Sequence, residues 1–195
     1  MHGSRVDAAR IEAAVAELLL AIGEDPSRKG LIDTPRRVAE SYAEFFSGIG
    51  EDPLEALAGA SEFVAGEGEL GELVLLRNIE FRSVCEHHLL PFSGIAHLAY
   101  LPGSRIVGLG RLPAVVEVLA ARAQLQERLT EQIADALQEG LAPLGVLVVL
   151  DAVHSCVTAR GPRQAHSSTV TMASRGQLGD PTQRAGALAL IGAPR

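Results

Sequence analysis

Hydrophobic positions recur at helical spacing near the N-terminus and alternate with polar positions further along the chain. Apolar residues three and four apart predict a helix over 11–22, and Thr34 as N-cap with Pro35 behind it marks the start of a second helix. From Leu73 onward the alternation becomes typical of strands. The chain is therefore expected to open with helices and to continue into a sheet.

The pattern after Leu73 predicts strands and helices in a simple order. The expected strands and helices are the strands 73–83 and 95–100, a short strand edge at 105–109, the helices 113–120 and 126–140, the strands 146–157 and 167–174, and a short helix in the tail. Two strands, two helices and two strands are typical of an α+β fold whose antiparallel sheet carries both helices on one face. The N-terminal helices precede this body.

The change of pattern near residue 70 also predicts the domain boundaries. We expect an N-terminal helical region over 1–70, a catalytic domain over 71–176 and a C-terminal tail over 177–195. Residues 51–71 combine a short helical piece with a Gly/Glu-rich loop and are interpreted as the junction.

Charge and composition narrow the classes of function. The chain has 195 residues and a net charge of −7, which disfavours nonspecific binding to nucleic acid. Lys29 is the only lysine among 17 basic residues, so a phosphate site would depend on arginines, backbone amides or helix N-termini. No apolar run reaches the roughly 18 residues of a membrane span, and no signal peptide opens the chain. We therefore expect a cytoplasmic protein that binds neither nucleic acid nor membranes.

The strongest chemical signal is a set of cysteines and histidines. Cys85 and His88 are three residues apart at the end of a predicted strand, and Cys156 follows 71 residues later in another. Two sulfurs and one nitrogen suit Zn²⁺ and leave its fourth position to water. The alternative is two buried cysteines and a structural histidine, but both cysteines of the chain lie beside histidines, which favours the metal site.

Two further histidines lie next to the expected ligands. His87 and His154 are candidates for proton transfer to and from a substrate bound beside the metal. They could equally serve as hydrogen-bonding supports of the ligands, and the sequence alone leaves both roles open. His166, in a predicted turn, is expected to be structural.

Taken together, several motifs resemble the GTP cyclohydrolase I family. The matching segments are Thr34-Pro35-Arg36-Arg37-Val38-Ala39, Cys85-Glu86-His87-His88, Gly108-Leu109, Gln126-Glu127-Arg128-Leu129-Thr130, His154-Ser155-Cys156 and Ala159-Arg160-Gly161. The resemblance implies the tunnelling fold and a toroidal homodecamer with active sites between subunits. It also implies hydrolytic opening of the guanine imidazole ring at C8 with release of formate, which converts GTP to 7,8-dihydroneopterin triphosphate.

The same resemblance assigns roles to individual residues. Zn²⁺ would be held by Cys85, His88 and Cys156, catalysis would use His87 and His154, guanine would be held by Gln126 and Glu127, and the triphosphate would be bound by Arg160, with Arg111 in the place of a family lysine. Adenine lacks the pair of donors that a buried carboxylate accepts, so Glu127 would select guanine.

The expected phosphate site departs from the family pattern. Where the family has Ser-Lys and then an Arg three residues later, this chain has Gly110, Arg111 and Ala114. Arg163 is a further candidate to replace the missing charge. One alternative is therefore an enzyme for a guanine nucleoside, a monophosphate or an oxidised guanine base, and a second alternative is an inactive ring-forming scaffold.

Overall fold

The structure is a computed structural model that describes residues 6–62 and 72–193. Its backbone divides into two compact units, Met1–Glu51 and Asp52–Arg195. The Gly/Glu-rich junction predicted up to residue 71 lies partly outside the described residues, at 63–71. Among the described residues, no helix combines the length and the apolar character that crossing a membrane requires.

The first unit contains two helices that pack against each other, α1 (Ala8–Ala21) and α2 (Thr34–Phe45). The Asp7 carboxylate caps α1 by accepting a hydrogen bond from the Arg10 amide at 3.1 Å. The N-cap of α2 is Asp33, one residue before the predicted Thr34, and its side chain makes no capping bond. Pro35 lies in the first turn as predicted, where its missing N–H costs no hydrogen bond.

The second unit holds the sheet and five helices within its described residues. In chain order the strands and helices are α3 (Pro53–Ala56), β1 (Ser61–Glu62), β2 (Val74–Cys85), β3 (Pro91–Leu101), β4 (Arg105–Ile106), α4 (Arg111–Ala120), β5 (Ala123–Gln124), α5 (Gln126–Leu141), β6 (Gly145–His154), α6 (Ser155–Thr158), β7 (Thr169–Gly176), a 3-10 turn (Gln177–Gly179) and α7 (Pro181–Gly192). The predicted succession of two strands, two helices and two strands is present, with short elements inserted between them.

Five strands form one sheet in the order β5-β2-β3-β6-β7. The three pairs from β2 to β7 are antiparallel, whereas β5 joins β2 in parallel through the pairs Val84–Ala123 and Cys85–Gln124. Gly94 allows β3 to approach β6 closely, because a Cβ at this position would overlap the backbone of Asp151 and Ala152. The β5 pairing ties the end of β2 to the start of α5.

Helices α4 and α5 pack on one face of the sheet. The main core joins Leu112 and Leu119 of α4, Leu129 and Ile133 of α5, and Leu98 of β3. The opposite face is partly covered by α7, whose Ala187 packs with Ala99 and Leu147. The predicted α+β class is therefore confirmed, with both helices on one face of a largely antiparallel sheet, and the tail forms the expected docking helix.

Two local features differ from the sequence-based picture. The strand predicted over 146–157 ends at His154, and Cys156 lies on the one-turn helix α6. The Ala159 amide donates to the Ser155 carbonyl at 3.0 Å and closes this turn, which hydrophobicity alone does not distinguish from a continuing strand. In addition, Leu57, just after α3, belongs to the main core, so this short segment packs with the sheet unit.

Candidate metal centre and active site

A tight turn at the end of β2 positions one thiol and one imidazole of the site. The Cys85 amide donates to the Leu90 carbonyl at 2.9 Å, and the Cys85 carbonyl accepts from the amides of His88 and Leu89. Leu89 has a φ of 51°, a conformation that closes the turn. As a result Cys85 Sγ and His88 Nδ1 lie 3.7 Å apart, with Cys85 buried and His88 exposed.

The second thiol reaches the same place through β6 and α6. The register of β3 and β6 pairs Phe92 with His154, so β6 ends beside the turn that follows β2. The helical turn α6 then places Cys156 two residues further on. Ligand atoms of Cys85, His88 and Cys156 all lie within 4.8 Å of one another.

This donor set has the chemistry of a metal site. Burial, followed by the proximity of Cys85, raises the pKa of the Cys156 thiol, because two thiolates side by side repel each other. A divalent cation would remove that repulsion, and thiolate ligands favour zinc over magnesium or calcium. His88 is exposed, which leaves one side of the site open to solvent and substrate. The three residues therefore fit a tetrahedral ion with one exchangeable position.

A bidentate ion pair joins the Cys85–His88 turn to helix α5. Arg128 donates from its two terminal nitrogens to the Glu86 carboxylate, at 2.6 and 3.0 Å. The Glu86 amide also donates to the Gln124 carbonyl at 3.0 Å. The Arg128 guanidinium lowers the pKa of Glu86, so the carboxylate is ionised at neutral pH. Paired bonds of this kind restrain geometry better than a single surface contact.

We expect Glu86→Gln to weaken metal binding about tenfold, since groups that support metal ligands commonly change affinity by this factor or more. Cobalt titration of the metal-free protein, followed by visible absorption, measures the change. The matched control is Glu131→Gln, which breaks the ion pair of the same helix with Arg175 on β7. Equal cobalt affinities of Glu86→Gln and the unsubstituted protein would contradict this expectation.

His154 is held between an aromatic ring and a buried amide. Its imidazole stacks on Phe92, with ring centroids 4.5 Å apart and planes within 5° of parallel. Its Nε2 lies 2.6 Å from the Gln126 side-chain oxygen. Burial lowers the pKa of His154, and the negative charge of Glu127 opposes that shift, so the ring is neutral around pH 7.

The two residues expected to hold guanine occupy different environments. Gln126, at the start of α5, is only 1% exposed, and its amide is bonded to protein groups on β6 and β7. Glu127 is exposed in the first turn of the same helix, where the helix dipole favours a negative charge. Glu127 is thus available to a ligand in this structure, whereas the Gln126 side chain is engaged inside the protein.

The arginines expected at the phosphate site lie on the surface. Arg111 is exposed and begins α4 directly after Gly110, with Ala114 one turn further along the helix. Arg160 is exposed after α6, and its positive charge opposes part of the rise in the pKa of the Cys156 thiol, while Arg163 has a φ of 52° in the following loop. Across residues 6–62 and 72–193, no ion pair occupies the Arg111, Arg160 or Arg163 guanidinium groups.

The structure thus brings some of the predicted residues together and leaves others apart. The predicted ligands Cys85, His88 and Cys156 converge, and His154 contacts Gln126 beside Glu127. His87 is exposed next to His88, with ring centroids 6.1 Å apart. In the described part of the chain, no hydrogen bond joins Arg111 to this group.

Sequence reasoning missed the supports of the site. Phe92 and Thr171 contact His154 and Gln126, respectively, but nothing in their local sequence marks them. Arg128 and Thr130 lie in the Gln126–Thr130 motif, and their place in that motif was the one sequence signal that could have marked them as supports of the site.

Comparison with known proteins identifies the family. A sequence model of GTP cyclohydrolase I matches residues 11–192. The chain is 62% identical over 186 residues to the GTP cyclohydrolase 1 of Leifsonia xyli subsp. xyli, covering 95% of this chain and 96% of that protein. It is 50% identical over 190 residues to that of Clostridioides difficile, covering 96% and 98%. It is 51% identical over 189 residues to that of Rhodopirellula baltica, covering 96% and 80%.

These matches extend over nearly the whole chain, including every segment that forms the candidate metal centre and its supports. Identities of this size over full-length relatives, together with the family match, establish common ancestry and a shared fold. The chain belongs to the GTP cyclohydrolase I family.

Proposed function

We propose that the protein is an enzyme that hydrolyses GTP to 7,8-dihydroneopterin triphosphate and formate. The observation that carries the proposal is the convergence of Cys85, His88 and Cys156 within 4.8 Å, in a chain 62% identical to a GTP cyclohydrolase 1. Water adds to C8 of the guanine and the C8–N9 bond breaks, which opens the imidazole ring to a formamide. A second water cleaves this formamide and releases C8 as formate. The ribose then opens and rearranges to a ketose, whose carbonyl condenses with the freed amine with loss of water and closes the new ring.

Cys85, His88 and Cys156 would hold Zn²⁺ as the cofactor. Bound zinc with one open position would lower the pKa of a water molecule to about 7 and so supply a nucleophile at neutral pH. The Arg128–Glu86 pair would keep the Cys85–His88 turn in register with the start of α5. The metal ligands would therefore lie at a defined distance from Glu127, so that a guanine bound to Glu127 reaches the metal site.

Glu127 would select guanine. Its exposed carboxylate can accept hydrogen bonds from the ring N–H and the exocyclic amine of one guanine edge. Adenine presents no such pair of donors, so it would leave the carboxylate without partners. Loss of a charge-assisted pair costs about 1.5–3 kcal/mol per bond, which is enough for strong discrimination.

His154 and His87 would transfer protons at the reacting ring. His154 is neutral near pH 7 and half-buried, which suits a group that takes up and returns a proton during one turnover. Protonation of guanine N7 makes C8 more electrophilic toward water, and a proton then delivered to N9 assists cleavage of the C8–N9 bond. His87 is exposed on the same turn as His88 and can reach a substrate from the solvent side.

Arg111, Arg160 and Arg163 would bind the triphosphate, since their guanidinium groups are exposed and make no ion pair within the described residues. Ala114 cannot contribute a charge of its own.

A homodecamer with sites between subunits, as the family resemblance implies, would let a second copy of the chain add phosphate contacts. The exposed Val153, Val170 and Met172 on the outer sheet face support assembly.

Product identification tests this function directly. Incubation of zinc-loaded protein with GTP should release formate and yield a product with the mass of 7,8-dihydroneopterin triphosphate. GMP and guanosine, supplied in parallel, should react far more slowly, because each lost phosphate contact costs about 1.5–3 kcal/mol. ATP should not react. Turnover of guanosine or GMP equal to that of GTP would favour the enzyme for less phosphorylated guanine compounds.

The two alternatives are less well supported. The identities of 50–62% to proteins named GTP cyclohydrolase 1 argue for GTP itself as the substrate. An inactive scaffold would have no need of the three ligand side chains, both histidines and Glu127, all of which are present. Absence of formate from every guanine compound, with zinc bound, would favour the scaffold.

A further inference from the structure

We propose that Gln126 is a positioning residue that orients His154 and determines which of its ring nitrogens carries the hydrogen. Its side-chain oxygen lies 2.6 Å from His154 Nε2, and its nitrogen faces the Leu150 and Thr169 carbonyl oxygens at 3.2 and 2.8 Å. The inference rests on the proposed function to the extent that His154 is catalytic. The geometry of the amide and the imidazole is independent of it.

The orientation of the Gln126 amide follows from its partners. Two backbone carbonyls can only accept hydrogen bonds, so the amide nitrogen must face them. The opposite orientation would direct the amide oxygen at two other oxygens inside a buried site, where an unpaired acceptor is costly. The oxygen of Gln126 therefore faces His154.

Two threonine hydroxyls complete a closed ring of hydrogen bonds around this amide. Thr130 donates to the Gln126 backbone carbonyl at 2.7 Å. Because its single hydrogen is used there, the 2.6 Å contact between Thr130 and Thr171 requires Thr171 to donate. The Gln126 side-chain nitrogen also lies 3.1 Å from the Thr171 hydroxyl, so its two hydrogens are shared among three acceptors. The two backbone carbonyls fix the orientation of the amide, and the hydroxyls of Thr171 and Thr130 follow it.

The ring of hydrogen bonds has a consequence for His154. An amide oxygen only accepts, so Nε2 of the imidazole must carry the hydrogen and Nδ1 must hold the lone pair. Stacking on Phe92 fixes the plane of the ring. Nδ1 is therefore the atom through which the neutral ring would exchange a proton with substrate, as in other sites where a hydrogen-bonded partner selects the tautomer.

A direct role of Gln126 in guanine binding fits this geometry poorly. The side chain is 1% exposed, and both ends of its amide are bonded to protein groups. A base would have to break the His154 contact in order to reach the amide oxygen. The two roles predict different kinetic defects, since a lost substrate contact raises KM and a misoriented catalytic group lowers kcat.

Gln126→Met tests the inference by removing the polar contacts at similar volume. We expect kcat for GTP to fall by about 10²-fold with KM within about threefold, because general acid–base catalysis commonly contributes 10²–10⁴-fold. The matched control is Gln138→Met on the same helix, whose amide nitrogen donates to the Pro143 carbonyl at 3.4 Å and makes no contact with His154 among the described residues. It should leave both constants unchanged. A raised KM with normal kcat in Gln126→Met would overturn the inference and return Gln126 to substrate binding.

The tautomer of His154 can be determined by NMR, without measuring turnover. In the zinc-loaded enzyme labelled with ¹⁵N-histidine and studied by solid-state NMR at alkaline pH, the His154 signals should report a protonated Nε2 and an unprotonated Nδ1. The His154→Asn spectrum assigns them. In Gln126→Met we expect both tautomers. A protonated Nδ1 in the unsubstituted protein would overturn the inference, whereas absent formate release with the expected tautomer would count against the proposed function alone.

A milder variant covers the case in which Gln126→Met does not fold. Thr171→Val keeps the shape of the side chain and removes one acceptor and the donor to Thr130. It should lower kcat severalfold, leave KM unchanged and broaden or split the His154 Nε2 signal. A Thr171→Val spectrum and kcat identical to those of the unsubstituted enzyme would contradict the hydrogen-bond ring.

Discussion

Cys156→Ala is expected to release the metal and to lower kcat/KM for GTP by at least about a thousandfold. The side chain is one of three whose ligand atoms lie within 4.8 Å of one another, so its loss leaves two ligands. A catalytic metal supplies several kcal/mol of transition-state stabilisation, and about 1.4 kcal/mol corresponds to a tenfold change in rate. Metal content by atomic emission and formate release measure the two effects on the same preparation.

Val157→Ala is the matched control for Cys156→Ala. It lies in the same helical turn and contributes no ligand, so it should retain metal and turnover. Far-ultraviolet circular dichroism on both variants checks that the sheet unit remains folded. The metal-site assignment is wrong if Cys156→Ala keeps one equivalent of zinc and near-normal turnover.

His154→Ala and His87→Ala are expected to lose turnover by about 10²–10⁴-fold while zinc stays bound, the range typical of a lost acid–base group. Neither side chain is among the three converging ligands, so metal content should be unchanged. For His154 the loss should appear in kcat, since the ring is positioned by Phe92 and Gln126 before substrate arrives. Stopped-time formate assays over a range of GTP concentrations separate kcat from KM.

His166→Ala provides the control for these two variants. This exposed histidine precedes β7 and should be replaceable without loss of turnover or metal. Near-normal activity of either His154→Ala or His87→Ala would remove that residue from catalysis. Loss of zinc from either one would instead indicate a supporting role toward the metal ligands.

The local pattern of hydrophobic and polar residues was sufficient to predict most of the helices and strands. The alternation after Leu73 and the helical spacing over 126–140 correspond to β2 and α5 because each buries one face against a common core. The end of β6 was predicted three residues too late. Cys156 and Val157 resume the apolar pattern after His154 and Ser155, and the hydrogen bond that turns the backbone at Ser155 has no signature in hydrophobicity.

The motif around Cys85 and His88, with Cys156 further on, was enough to predict a metal centre, because residue type and spacing determine ligand chemistry. The role of Gln126 could not be predicted in this way. Its amide is oriented by carbonyls of β6 and β7, which reach α5 only through the packing of the helix on the sheet.

The sequence by itself determined most of the helices and strands, the candidate ligands and the family, since these depend on local periodicity and on which side chains are present. Only the tertiary structure decided how the site is built. The pairing of Phe92 with His154 and of Cys85 with Gln124 brings together side chains from distant parts of the chain. Hydrogen bonds have direction, so contacts made across those pairings, and not the residues alone, decide what each side chain can do.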